Sequence, residues 1–429
     1  MYLNCHSYFS LRYGTLSPAA LVEAAQQRGV EALALTDVNN TSGALEFYRL
    51  CRGAGIRPLL GIDFRTEGGE RRYVGLARNL EGWAELNELL TRCSLENKPL
   101  PPLAPPLQYA YVVYPRLVKP IERFAEHELL GIRPEHVHGL FSSEVRRFPE
   151  KLVVLSPVTF LDEAGYALHR ILRAIDLNTL LAKLPREGVA RKTELFHPPQ
   201  VLRDFYKTYP KILRNTERIV ADCSIDFETG LQLNRQTFTG SKGGDYHLLE
   251  KLAVEGCRRR YGPRDKRALE RVQRELRVIR QQDFCAYFLI AWDVVRYAQN
   301  AGYHHVGRGS GANSIVAFCL GITDVDPLEL DLYFERFINP HRASPPDFDI
   351  DFSWDERDDV VDYIFKRYGT EHTALLATYN TFKGRSIVRE LGKVFGLPKA
   401  EIDLLSEAPE RYAPEAGPLP RALRRRPGA

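Results

Sequence analysis

A C-x-x-C pair is nowhere to be found in this 429-residue sequence, although it contains seven cysteines. Cys5, Cys51, Cys93, Cys223, Cys257, Cys285 and Cys319 form an odd, scattered set, which argues for reduced thiols in a cytoplasm and against a disulfide framework. Long apolar runs are also missing: none approaches the roughly 18 residues of a membrane span. The N-terminus has no basic-then-apolar leader pattern. A large excess of either charge is missing too, and a net charge of +4 over this length singles out no class of partner. What remains is the composition of a soluble globular protein, 44% hydrophobic and 27% charged, long enough for two or three domains. A soluble cytoplasmic chain without membrane association is expected.

The first hundred residues alternate strand and helix signals. Ser17 as N-cap and Pro18 at the first helical position open a helix that Gly29 ends. EALALTD (31–37) and IRPLLGIDF (56–64) read as buried strands with a helix over 41–53 between them. YVGLA (73–77) is a further strand, followed by a helix over EGWAELNELLTRC. This alternation predicts a mostly parallel sheet or barrel with ligands near the strand ends. A Pro-rich rigid loop occupies 99–106, another strand and its exit loop 151–161, and helices with irregular connections run from about 162 to 255. Beyond Glu407 a Pro- and Arg-rich tail without periodicity reads as disordered.

A basic helix follows the irregular region. Between Gly256 and Gln282 stand ten Lys/Arg against three acids, while Leu269, Val272, Leu276 and Ile279 recur at spacings of three and four. One face is therefore buried and the remainder cationic. Such a face is either merely solvated or a surface for phosphate backbone, with Arg267, Arg271 and Arg274 as candidate nucleic-acid contacts.

Residues 302–321, GYHHVGRGSGANSIVAFCLG, take a short strand into a glycine-rich loop and then into an apolar helix opening at about Ala312. Glycines let backbone approach a ligand, and helix N-terminal amides attract phosphate. Arg308 adds a charge and Ser310 a hydroxyl, although the pattern is not a P-loop and is a weak signal alone. Further on, Asp347, Asp349 and Asp351 alternate with Phe348, Ile350 and Phe352. On a strand the three aspartates share one face, same-face neighbours lying ~6–7 Å apart. They repel unless something positive sits among them, and the neighbouring sequence offers no obvious neutralising partner. A solvent-facing strand is the alternative, but Thr or Lys suits that better. The spacing suits carboxylates holding a pair of Mg²⁺ ions, which take hard oxygen ligands. Loop and strand together point to metal-assisted chemistry on a nucleoside triphosphate.

The runs AYFLIAWDVVRYAQ, GRGSGANSIVAFCLGITDVDPLELDLYFERFINP, PPDFDIDF and HTALLATYNTFKGRSIVRELGKVFGLP, in this order between 286 and 398, closely resemble the palm of C-family bacterial replicative polymerases, the DNA polymerase III alpha subunits. Residues 1 to about 225 resemble, more weakly, the polymerase-and-histidinol-phosphatase (PHP) domain that precedes that palm. The resemblance implies an α/β, distorted-barrel PHP-like domain (1–225), a basic helical connector (226–283), a mixed α+β, incomplete palm (284–406) and the tail (407–429). It implies nucleotidyl transfer from a deoxynucleoside triphosphate (dNTP) to a primer 3′-hydroxyl on template DNA. Asp349 and Asp351 match the palm aspartates that bind catalytic Mg²⁺, with Asp347 supporting. Gly309 and Ser310 match the loop holding the triphosphate, with Arg308 and Arg336 as further phosphate contacts. Implied partners are primer–template DNA, dNTPs, a proofreading exonuclease and a sliding clamp, the last through a segment beyond this sequence.

Two departures qualify that resemblance. The H-x-H of a metal-binding PHP domain is here Asn4-Cys5-His6, its T-D-H is Thr36-Asp37-Val38, a Glu is replaced by Asp63, and a later Asp and His by Pro157 and Thr159. Too few ligands survive for a multi-metal site, so His6 is expected to be structural and phosphoesterase or proofreading activity absent. The third palm aspartate and the fingers of the family also lie beyond Ala429, so two carboxylates would leave the metal pair under-liganded. A non-catalytic fragment that binds nucleic acid or a partner therefore stands beside the polymerase reading.

Overall fold

Local capping signals start the first helices where the sequence places them. The structure is a computed structural model describing residues 1–227, 236–338 and 347–407. The Ser17 hydroxyl accepts from the Ala20 amide and Pro18 begins α1 (Pro18–Gln27). Asn79 does the same through Gly82 for α3 (Leu80–Leu95), which follows β1 (Ala32–Leu35), α2 (Ala44–Gly53), β2 (Arg57–Arg65) and β3 (Arg71–Ala77). Such caps satisfy amides that the first helical turn leaves without partners. The chain continues through β4 (Ala110–Tyr114), β5 (Glu128–Ile132), β6 (Leu152–Val154), α4 (Glu163–Asp176), α5 (Pro199–Phe205) and α6 (Pro210–Asp222).

The six strands form one sheet in sequence order. Its pairing is mixed: β1–β2, β4–β5 and β5–β6 are parallel, whereas β2–β3 and β3–β4 are antiparallel. Three of the five pairs are parallel, as the alternation predicts, and β3 is the strand that runs against its neighbours. The reason is local: a short loop with Gly69 at φ +81° turns β2 straight back into β3, with no crossover helix between them. Residues 2–6 bond to both ends of the sheet. The Ala34 amide donates to the Tyr2 carbonyl at 3.0 Å, and the His6 amide to the Val158 carbonyl beyond β6 at 2.9 Å. The sheet therefore curls, and its edges meet through the N-terminal segment. Leu33, Ile62, Phe64, Tyr73, Val112 and Val154 fill the interior.

Two compact units divide the chain, Met1–Thr229 with Asn380–Ala429, and Gly230–Tyr379. The second contains α7 (Lys242–Tyr261), α8 (Lys266–Gln281), α9 (Cys285–Asn300), β7 (His305–Arg308), α10 (Ile315–Leu320), β8 (Asp349–Phe352) and α11 (Arg357–Tyr368). The segment read as a connector shares a core with the region that follows it: Leu249, Val272 and Leu276 pack in one cluster with Phe288, Leu289 and Ile315. The buried stripe of α8 is Ala268, Val272, Leu276 and Ile279, while Leu269 is half-buried. Buried Asp293 on α9 accepts from the hydroxyls of Tyr363 (2.8 Å) and Tyr368 (2.9 Å) on α11 and fixes that helix in place. Helices α12 (Arg385–Val394) and α13 (Lys399–Glu407) group with the first unit. The tail beyond Glu407 lies outside the described residues, as do Pro345 and Pro346. Among the described residues no helix is long and apolar enough to cross a membrane.

Contact between α7 and α10 depends on Gly256, where an added Cβ would lie 2.0 Å from the Cys319 carbonyl oxygen. Because that atom is backbone, no rotamer change relieves the clash. Gly256→Ala is expected to destabilise the second unit by about 1–3 kcal/mol, read as a lowered urea midpoint.

Candidate functional site

In the second unit the site is built on two strands. β7 and β8 pair antiparallel with Arg308 opposite Asp349 and Val306 opposite Asp351. Opposed residues share a face, so Arg308, Asp349 and Asp351 all project to the solvent side, with side-chain exposures of 61%, 48% and 54%. Ile350 and Phe352 take the half-buried side, as alternation requires. Asp347, one repeat earlier, is also exposed. Arg308 lies against both carboxylates, its Nε 2.5 Å from Asp351 Oδ2 and its Nη1 3.8 Å from Asp349 Oδ2. This contact supplies the neutralising partner that the neighbouring sequence does not reveal.

Each glycine of the loop is placed against something specific. A Cβ on Gly307 would lie 2.0 Å from the Ile322 carbonyl oxygen, one on Gly309 2.7 Å from Asp349 Oδ2, and one on Gly311 2.6 Å from the Phe348 ring. Gly309 also has φ +74°, a left-handed conformation that starts a short 3-10 turn over Gly309–Asn313. The helix opens later than Ala312, at Ile315, because Ser314 is its N-cap and accepts from the Ala317 amide. Ser310 is half-buried in the turn, and its carbonyl accepts from Asn313 Nδ2 at 2.8 Å. The strand itself is anchored through Phe348, whose amide donates to the Tyr287 hydroxyl at 2.9 Å and whose ring packs on Tyr287, Phe288 and Phe337.

Behind the turn stands α8. Glu275, fully buried, accepts from Ser314 Oγ at 2.8 Å and from Arg271 Nε at 2.7 Å. Burial pushes its carboxyl above the ordinary value, while Arg271 and Ser314 pull the other way. Arg271 Nη2 donates to the carbonyls of Leu332 (3.0 Å) and Asn313 (3.4 Å). Arg271, a candidate nucleic-acid contact by sequence, is thus committed inside the fold. Arg274 pairs with Glu335, and Arg267 is exposed. Arg336 is exposed in a short turn after Tyr333 and is not among the residues in contact with the two aspartates. Glu275 escaped the sequence reading, since a Glu on a basic helix looks like a solvated residue.

A second polar cluster lies inside the first unit. His6 is buried with Nε2 2.8 Å from Asp63 Oδ2 and Nδ1 3.0 Å from Thr159 Oγ1. Asp63 is further bonded by Arg65 at 2.6 Å and Arg71 at 2.9 Å. Thr159 donates to Glu194 at 2.8 Å, and Glu194 pairs with Arg133 at 3.1 Å. Burial alone would raise both carboxyls, but the guanidiniums outweigh it: Asp63 is held well below its usual range and Glu194 falls to about 2. Burial lowers the His6 imidazole, against the pull of Asp63. Asp37 sits apart, accepting from the Ser7 amide (2.6 Å) and the Ser7 and Ser10 hydroxyls (2.7 Å each), and burial lifts it to about 6. The structure brings His6, Asp63 and Thr159 together and leaves Asp37 outside their network. Arg65, Arg71, Arg133 and Glu194 went unread, though Arg65 carries a signal as the same-face neighbour of Asp63 on β2.

Comparison with known proteins joins the two halves. Residues 3–129 match the PHP domain family, and residues 247–420 match the family described as the bacterial DNA polymerase III alpha NTPase domain. Over 95% of its length the chain is 33% identical to an error-prone DNA polymerase of Symbiobacterium thermophilum, 31% to the DNA polymerase III subunit alpha of Bacillus subtilis and 30% to that of Escherichia coli. It spans 42%, 39% and 39% of those relatives.

The buried ion network carries a pH signature. A depressed carboxyl stabilises the fold fully above its ordinary value and loses that contribution as pH falls through the folded value. For Glu194 the window runs from 4.5 down to about 2, whereas Asp37 acts with opposite sign as pH rises from 3.8 through about 6. Glu194→Gln is expected to cost about 3–5 kcal/mol at neutral pH by leaving buried guanidinium charge uncompensated. The gap between its urea midpoint and that of the parent protein should narrow as pH drops below 4.5.

Proposed function

We infer the function from the premise that this chain carries the PHP domain and the alpha-subunit domain of the bacterial DNA polymerase III alpha family. The second unit is proposed to bind dNTPs and primer–template DNA for template-directed DNA synthesis in the cytoplasm, as part of a palm. The observation that carries this reading is the close approach of Gly309 to Asp349, where an added Cβ would lie 2.7 Å from the carboxylate: the glycine-rich loop and the aspartate strand are adjacent.

In the proposed reaction the primer 3′-hydroxyl oxygen attacks the α-phosphorus, a new P–O bond forms, and the bond to pyrophosphate breaks as the hydroxyl proton departs. Gly309 and Ser310 would hold the triphosphate through backbone and hydroxyl, and Arg308 and Arg336 would contact its charges. Two carboxylates on one exposed face fit Mg²⁺, which takes few protein carboxylates and completes its shell with water and substrate phosphate. Among the described residues no group of three His, Cys, Asp or Glu joins around a metal position. Asp349 and Asp351 would hold the ion, which when bound would activate the 3′-hydroxyl and stabilise the charge on the leaving pyrophosphate. The cations of α8, with Arg267 outermost, would track the DNA backbone. In a longer polymerase a proofreading exonuclease and a sliding clamp would be accessory partners. The His6–Asp63–Arg65–Arg71 centre is proposed to be structural support without phosphoesterase activity, since its ligand-type groups are consumed by one another.

A second reading, a non-catalytic nucleic-acid-binding fragment, is favoured by the exposed Arg267 and Arg277 on α8. Fluorescent dNTP binding in Mg²⁺ separates the two. The Asp349→Asn/Asp351→Asn variant should bind about tenfold or more weakly, a loss of about 1.4 kcal/mol or greater. Undiminished nucleotide binding in that variant would leave only the second reading.

A further inference from the structure

Arg308 occupies two positions at once in the logic of this site. It is the residue immediately before the Gly309 turn, and it is the cross-strand partner of Asp349. Its guanidinium touches the same carboxylate pair that the proposed function gives to Mg²⁺, at 2.5 and 3.8 Å. A guanidinium and a divalent ion cannot share that small space without strong like-charge repulsion. Among the described residues the side chain's partners are these two carboxylates; it is 61% exposed, and its long stem can swing by rotamer changes alone. The turn that it precedes is the proposed seat of the triphosphate, within reach of the same stem.

Resting on that reading, we propose that Arg308 is an exchangeable counter-ion. It neutralises Asp349 and Asp351 when the triphosphate is absent, and it transfers to the triphosphate when the metal–nucleotide complex arrives. The metal alone then binds weakly, because it must displace a resident charge with no new place for that charge to go. Metal and nucleotide together bind cooperatively, because the phosphates accept the released guanidinium. By linkage, each ligand strengthens the other to the same degree.

The test uses the 429-residue chain with Mn²⁺ as a paramagnetic probe, free Mn²⁺ being followed by its spin resonance. In Arg308→Gln the dissociation constant for Mn²⁺ alone should fall roughly tenfold, the order expected for removing one charge near 4 Å in a solvent-screened site. At saturating Mn²⁺ the same variant should bind dATP roughly tenfold more weakly, from loss of a charged phosphate contact. Arg308→Lys, which retains the charge, should stay near the parent for Mn²⁺ alone. Affinities for metal and nucleotide that move in the same direction in Arg308→Gln, or an unchanged Mn²⁺ affinity, would overturn the exchange while leaving the metal assignment standing. Mn²⁺ binding that persists in Asp349→Asn/Asp351→Asn would instead sink the metal assignment and the exchange together.

Discussion

The pairing of β7 with β8 is the constraint on which the second unit's site depends. One register, Arg308 opposite Asp349, decides that the carboxylates meet solvent and that Ile350 and Phe352 meet the interior. Slipping it by one residue would turn every side chain over and press the carboxylates into an apolar layer. Much of the surrounding sequence serves to hold that register. Phe348 is gripped by three aromatic rings and a tyrosine hydroxyl, and the glycines at 307, 309 and 311 let backbone, carboxylate and ring close up against the loop. From behind, Glu275 and Arg271 tie the turn to a helix whose apolar stripe is sunk in the core.

How much of this could be read beforehand follows from how local each signal is. The alternation of Asp with Phe and Ile declares a strand because its period is two, and the stripe of α8 declares a helix because its period is near 3.6. Caps at Ser17 and Asn79 mark helix starts for the same reason of proximity. The short strands β4 and β5 carry no such period: five residues of AYVVY or ELLGI show no alternation, so composition and tertiary pairing rather than periodicity mark them as strands. Partnerships across the chain were the least legible. Arg308 meets Asp351 at a separation of 43 residues, and Glu275 meets Ser314 at 39, so neither pair has a sequence signature. Asn4, Val38, Pro157 and Thr159 can be read as non-ligand residues directly, but the ion network around Asp63 depends on a hairpin that sets Arg71 opposite Arg65 and on Glu194, far along the chain.

Burial separates the chain's two clusters of opposite charge. Around Asp63 the guanidiniums are at most 9% exposed, each charge is matched by hydrogen bonds, and breaking one bond strands another charge in a medium that cannot solvate it. Around Asp349 the same kinds of group stand in water, where an ion pair is worth little and is readily exchanged. Identical chemistry therefore yields a rigid strut in one unit and a replaceable contact in the other.

The sealed centre of the first unit also constrains what sequence change can reach. A histidine placed at position 4 would find His6 and Asp63 already engaged and two guanidiniums beside them. Removing either arginine first would leave Asp63 under-compensated, at a cost of about 3–5 kcal/mol against a total stability of only about 5–15. A substitution at either arginine therefore disturbs the fold before it opens any ligand position. Buried ion pairing makes this interior less tolerant of single substitutions than the exposed faces of the protein.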